Sequence, residues 1–137
     1  MRFLTAAIVI FCLAGDVVSI LALREHYNTE TSPCSINERW DCGAVNHSMF
    51  ATIDGVPVAD IGILGYALLG ILAGRYPRLT VLGALAGMGF ALRLTYIEWK
   101  VLEVWCIYCV ASQGIIALVA LLAVAALFLD RRAQAHG

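Results

Sequence analysis

The chain has 137 residues, of which 61% are hydrophobic and 14% charged, with a net charge of −1. Soluble domains carry about 25% charged residues, so this composition excludes an ordinary water-soluble core, and the length suits a single domain. The near-neutral balance excludes nucleic-acid binding driven by net charge.

A bilayer-spanning helix needs about 20 mostly apolar residues. Residues 3–23 supply the first run, interrupted only by Asp16. This run is longer than the apolar part of a signal peptide (about 7–15 residues) and no A-x-A site follows, so it reads as an uncleaved anchor. Residues 24–56 then make a loop of 33 residues. Thr31-Ser32-Pro33 and Asn46-His47-Ser48 are polar helix starters, which points to short helices within that loop. Residues 57–74 are the second run, with Asp60 near its start and Pro57 suited to a first helical turn. The turn Arg75-Tyr76-Pro77-Arg78 is short, so the second and third helices are antiparallel neighbours. Residues 79–99 are the third run, with Arg93 inside it and Glu98 at its end. Residues 106–129 are the fourth and carry no charge. The expected fold is an all-α integral membrane protein, a four-helix transmembrane bundle in one domain with a long outer loop.

Lys and Arg in short loops set orientation. The termini share a side with the 75–78 turn, and that side holds Arg2, Arg75, Arg78, Arg131 and Arg132. The other side holds Arg24, Arg39 and Lys100, among Asp and Glu. Both termini are therefore expected in the cytoplasm, with the long loop and the 100–105 link outside, where disulfides persist.

Cys106 and Cys109 form a C-x-x-C pair at the outer end of the fourth run. Residues three apart share a helix face and can bond within one turn. Free N–H groups and the positive dipole end at a helix start stabilise a thiolate, which favours Cys106 as the reactive member. Cys109 lies one turn deeper, within reach of a lipid-soluble oxidant. Cys34 and Cys42 stand in the loop with seven residues between them. They read either as a structural staple or as a shuttle disulfide between a soluble partner and the membrane-edge pair. A four-cysteine zinc site is a third reading, although a spacing of seven is unusual for zinc and such a site would be half sunk in lipid. Cys12 lies mid-span and reads as a small hydrophobe. Asp16 and Arg93 each sit roughly 10 Å below the outer surface at about 1.5 Å per residue. Buried ionisable groups pair or face cavities, so the two are expected to form an ion pair inside the bundle, with Arg93 also a candidate to face the lipid-soluble oxidant. The alternatives are a purely structural pair or an Arg93 that snorkels outward.

The ordered set of motifs resembles the vitamin K epoxide reductase family, whose bacterial members work like the quinone-coupled disulfide oxidase DsbB. The resemblance is carried by Cys12-Leu13-Ala14-Gly15 and Ser19-Ile20-Leu21-Ala22-Leu23, then Cys34 and Cys42 with Ser48 six residues on. It continues through Gly55-Val56-Pro57-Val58-Ala59-Asp60-Ile61-Gly62 and Tyr66 to Cys106-Ile107-Tyr108-Cys109. It implies a four-helix bundle around a quinone of the ubiquinone or menaquinone type, capped by the outer loop, in a bacterial inner membrane. It also implies a relay. Cys34 exchanges with a thioredoxin-like partner, Cys42 links the loop to Cys106, and Cys109 meets the quinone, with Ser48 near the chemistry. Because the chain stops at Gly137 after a charged tail, that partner is expected to be a separate soluble protein. The vertebrate enzymes have asparagine where Val58 stands and tyrosine where Gln113 stands, which favours a simple quinone over a vitamin K epoxide. Reduction of vitamin K or its epoxide by the same cysteines is the alternative activity. A non-catalytic protein with structural disulfides or zinc is the alternative of another class.

Overall fold

The computed structural model describes residues 2–28 and 34–136. Among them, three helical stretches are long and apolar enough to cross a membrane. They are α1 (Arg2–Tyr27), α4 (Pro77–Tyr96) continued by a π-helical turn (Ile97–Leu102), and α5 (Ile107–His136). The expected second span of residues 57–74 is shorter in the structure. Its helix, α3 (Val58–Leu72), has 15 residues, about 22 Å against a hydrocarbon core of about 30 Å. At its far end the Arg75 and Tyr76 amides both bond back to Leu72 O, at 3.1 and 2.9 Å, and close the turn into Pro77. Proline at that first helical position costs α4 no hydrogen bond.

Pro57 does not enter the first turn of α3 as expected. It ends a small hairpin, β1 (Thr52–Ile53) against β2 (Val56–Pro57), with Thr52 opposite Pro57. The two-residue connection is Asp54 and Gly55, with φ of 51° and 82°. Both residues need positive φ in the turn whose twist matches a two-residue hairpin, which is why Asp-Gly stands there.

The helices pack in a ring: α1 against α3 and α5, α4 against α5 and less closely against α3. The inner faces meet in a core that includes Ile8, Cys12, Tyr66, Leu69, Ala84 and Val119. Close approach depends on small residues, as between membrane helices generally. A Cβ on Gly15 would stand 2.5 Å from Tyr66 Cε1, so only glycine lets α1 lie against that ring. The outward faces are apolar too: Leu64, Ile71, Leu82, Leu121 and Phe128 are each more than 60% exposed. A soluble bundle turns polar residues outward, and one apolar all round sits in lipid.

The expected pairing of Asp16 with Arg93 is not met. No ion pair joins them: Asp16 Oδ1 is buried without a hydrogen-bond partner, and Arg93 is exposed on the outer face of α4. The reason is topological, since α1 and α4 take opposite corners of the ring.

Candidate active site

The loop is built to bring one cysteine against another. Asp41 caps α2 (Cys42–Asn46): its carboxylate accepts from the Ala44 amide at 3.1 Å and from Ser35 Oγ at 2.7 Å. The Ser35 hydrogen bond first, then the Ala44 amide, hold that carboxyl below the usual carboxylate range. Backbone bonds from Trp105 N to Arg39 O (2.6 Å) and from Asp41 N to Trp105 O (3.0 Å) form a parallel bridge between Trp40 and Trp105. The next residues along the two segments are the cysteine regions themselves, so the bridge sets Cys42 beside Cys106. A second tether joins α2 to α1, where His26 Nδ1 lies 2.7 Å from Asn46 O.

Cys34 and Cys42 form a disulfide with Cα atoms 5.5 Å apart. Cys106 and Cys109 are free thiols. Cys34, Cys42, Val45 and Cys106 make one buried cluster, with Leu102, Val104, Tyr108 and Cys109 packed against it. The two thiols of the C-x-x-C have different surroundings, and Cys106 is not open to water. Cys42 and Cys106 are both 0% exposed, sealed under α2, whereas Cys109 is half-buried and opens elsewhere. Among the described residues no group of three or more His, Cys, Asp or Glu is arranged to hold a metal ion. The disulfide also leaves Cys34 and Cys42 no thiolate to offer one.

Cys109 opens onto a cavity of about 390 Å³ between α1, α3, α4 and α5. That is within the usual 300–1,000 Å³ of small-molecule pockets. The walls are almost wholly apolar, among them Ala22, Ile61, Leu69, Phe90 and Leu94. The polar exceptions are few: Cys109, Ser19, Tyr108, Ser112 and Tyr66. Tyr66 Oη donates to Ser112 O at 2.8 Å and lies 2.9 Å from Ser112 Oγ, which holds the ring against the cavity. The chamber suits a flat apolar molecule with a few polar atoms, with one thiol at its edge.

Ser48 starts the 3₁₀ turn Met49–Ala51 and donates to Val45 O at 2.7 Å. It does not bond a cysteine, but it lines a small void of about 30 Å³ that Asn46 and Glu98 also line. Asp16 and Arg93 are absent from the walls of the larger cavity, where the neighbours of Arg93, Phe90, Ala91 and Leu94, do appear. Val58, at the place of the vertebrate asparagine, lines the cavity, while Gln113 bonds Thr95 Oγ1 at 3.1 Å and Met88 Sδ at 3.4 Å. Of the two loop segments expected to start short helices, 46–48 lies where α2 ends and the 3₁₀ turn begins. Residues 31–33 lie outside the described residues.

Two site residues had no sequence signal singled out for them. Asn46 donates to Cys42 O at 2.8 Å and to Cys106 Sγ at 3.5 Å, so one amide spans the two sulfur centres. Glu98 is 3% exposed, and its Oε2 accepts the Cys106 amide at 3.2 Å. Its carboxyl therefore sits at the start of the helix that carries both thiols. The signal available for Glu98 was an acid at the end of an apolar run, eight residues before a C-x-x-C.

Cysteine sulfurs run in one file from the loop disulfide to Cys106, then Cys109, then an apolar chamber. Such a file can pass electrons by thiol–disulfide exchange. The family model described as vitamin K epoxide reductase family matches residues 6–125. A search among curated proteins gave no match.

Proposed function

The chain belongs to the vitamin K epoxide reductase family, whose members are membrane oxidoreductases that act with quinones, and from that premise we propose that it oxidises a separate thioredoxin-like protein and delivers the electrons to a quinone. The observation that carries this reading is the placement of Cys109, which packs against the buried cluster of Cys34, Cys42 and Cys106 and lines the 390 Å³ apolar cavity.

The steps use this chain's own sulfurs. A thiolate of the partner attacks Cys34 Sγ, breaks the Cys34–Cys42 bond and releases Cys42 as thiolate. Cys42 attacks Cys106 Sγ of a Cys106–Cys109 disulfide, forms a Cys42–Cys106 bond and frees Cys109. The partner's second thiolate then breaks its bond to Cys34 and leaves oxidised. Cys34 attacks Cys42, which restores the loop disulfide and leaves Cys106 and Cys109 reduced. A quinone in the cavity takes two electrons and two protons in all as Cys106 and Cys109 close again. Asn46 holds Cys42 and Cys106 in register, and Tyr66 with Ser112 supplies the polar contacts in the chamber. The quinone is of the ubiquinone or menaquinone type. The four apolar helices span a bacterial inner membrane with both termini in the cytoplasm and the cysteines on the periplasmic side. Asp16 and Arg93 have no step in this scheme.

The test is quinone reduction by purified protein with a soluble quinone analogue and a reduced thioredoxin-like protein. Turnover that disappears in Cys34→Ser, Cys42→Ser, Cys106→Ser and Cys109→Ser variants alike is the expected result. A protein that keeps both cysteine pairs yet reduces no quinone under any dithiol supply would overturn the reading and favour two structural staples.

A further inference from the structure

Glu98 is the feature of the site that the relay leaves unused. A carboxyl that is 3% exposed at the end of a membrane helix is costly to keep unless it has a task or a strong partner. Its chain segment is shaped for it: the π-helical turn of residues 97–102 makes both Ile97 and Glu98 face inward, although they are adjacent in sequence. Such turns recur at functional sites. One carboxylate oxygen accepts the Cys106 amide at the start of α5. Cys109 is the next thiol along the same helical start, packed against the cluster that holds Cys106. On its other side lies the void of about 30 Å³, walled by Val45, Asn46, Ser48, Phe50 and Ala51 of the loop. That volume has room for a water molecule and offers polar partners for it. Glu98 therefore stands between the thiol at the edge of the large cavity and a small polar space under the loop. Cys106 and Cys109 are the ionisable groups that face it. The loop adds none to the void, and Arg93, Lys100 and Glu103 of its own segment are exposed.

We propose that Glu98 is a catalytic residue, the base that takes the proton from Cys109 as the Cys106–Cys109 dithiol is oxidised. The proton passes from Cys109 Sγ to a Glu98 carboxylate oxygen, and the electron pair left on sulfur becomes available for transfer. When the disulfide closes, two thiols have lost two protons and two electrons, and the quinone has gained two of each. Glu98 gives its proton up through the void beneath the loop, which Ser48 and Asn46 line, and the quinone takes the proton that balances it from water. The inference rests on the thiol–quinone reading above and assigns the proton path within it.

A structural role predicts something different. As a helix cap alone, Glu98 needs only an acceptor for the Cys106 amide, and the amide oxygen of Glu98→Gln provides one. Two measurements separate the roles. The first needs no quinone: the rate of alkylation of Cys109 in the reduced protein, resolved by mass spectrometry across pH. The expected wild-type profile has an inflection from Glu98 that is missing in Glu98→Gln, while coincident profiles would overturn the proposal. The second is turnover with the quinone analogue, where removal of a proton acceptor costs about 100-fold or more and Glu98→Asp recovers part of the loss. A Glu98→Gln variant with wild-type turnover would also overturn the proposal. Failure of the wild-type protein to reduce quinone overturns the parent reading instead, and the alkylation profiles still decide whether Glu98 exchanges a proton with Cys109.

Discussion

Cys106 and Cys109 are one helical turn apart, yet they face different neighbours: Cys106 lies under Cys42 and Val45, and Cys109 lies at the cavity. That difference fixes an order of bond exchange, which trapping reveals because a missing resolving thiol leaves the mixed disulfide in place. Cys109→Ser is expected to accumulate a Cys42–Cys106 bond with Cys34 reduced, read by disulfide mapping after acid quench. An intact Cys34–Cys42 bond in that variant, with no cross-linked species, would contradict the relay. Cys42→Ser is expected to leave Cys106–Cys109 closed and let Cys34 capture the soluble partner. Tyr66 is a second residue with a specific expectation. Tyr66→Phe removes the bond to Ser112 at a cost of about 1 kcal/mol in stability, and raises KM for the quinone more than it lowers kcat if the hydroxyl only shapes the chamber. Arg93 has the opposite expectation. Exposed, and unpaired among the described residues, it should tolerate Arg93→Gln within about 0.5 kcal/mol, which thermal unfolding in detergent checks. A larger loss would mean that Arg93 has a partner after all.

At the scale of elements, the loop is an assembly of local devices. The Asp41 cap, the Trp40–Trp105 bridge and the Asp54–Gly55 hairpin each hold a few residues, and together they lay α2 over Cys106. Asp41 gives this assembly a pH dependence. Its carboxyl titrates lower in the folded chain than in the unfolded one. The contribution is therefore complete above the ordinary carboxylate range and is lost as pH falls through the lowered value. Asp41→Ala is expected to cost about 1 kcal/mol at neutral pH, and the gap in Tm between the two proteins should narrow as the pH drops into the acid range. A gap that stays constant down to acid pH would show that the charge on Asp41 is not what holds the cap. The hairpin went unread, with helices expected in the loop, although Asp-Gly between short apolar stretches is a strong turn signal. The cap has a weaker signal, because Asp41 stands directly before a cysteine whose redox chemistry dominates any reading of the segment.

At the scale of the whole molecule, Arg2, Arg75, Arg78 and Arg131 gather around one groove at the end away from the cysteines, and Asp130 also lines it. Under the arginine rule for short loops, that end is expected to face the cytoplasm. A reporter fused after Gly137 should be active only if it works in the cytoplasm, and periplasmic activity would invert the orientation and the redox assignment with it. The amino-acid sequence alone determined the membrane class, the approximate runs that become α1, α4 and α5, and the four cysteines, because hydropathy and spacing are properties of the chain that no packing changes. It also carried the family resemblance, which the match over residues 6–125 bears out. The tertiary structure decided the rest. The length of α3 depends on where the hairpin ends and where the 75–78 turn closes. Asp16 and Arg93 stay apart because their helices stand at opposite corners of the ring. Cys106 is sealed and Cys109 open because α2 folds over one and the cavity meets the other. Glu98 meets the Cys106 amide, eight residues on, only because a π-helical turn aims it at the start of α5, and the hydropathy of an apolar run carries no sign of that turn.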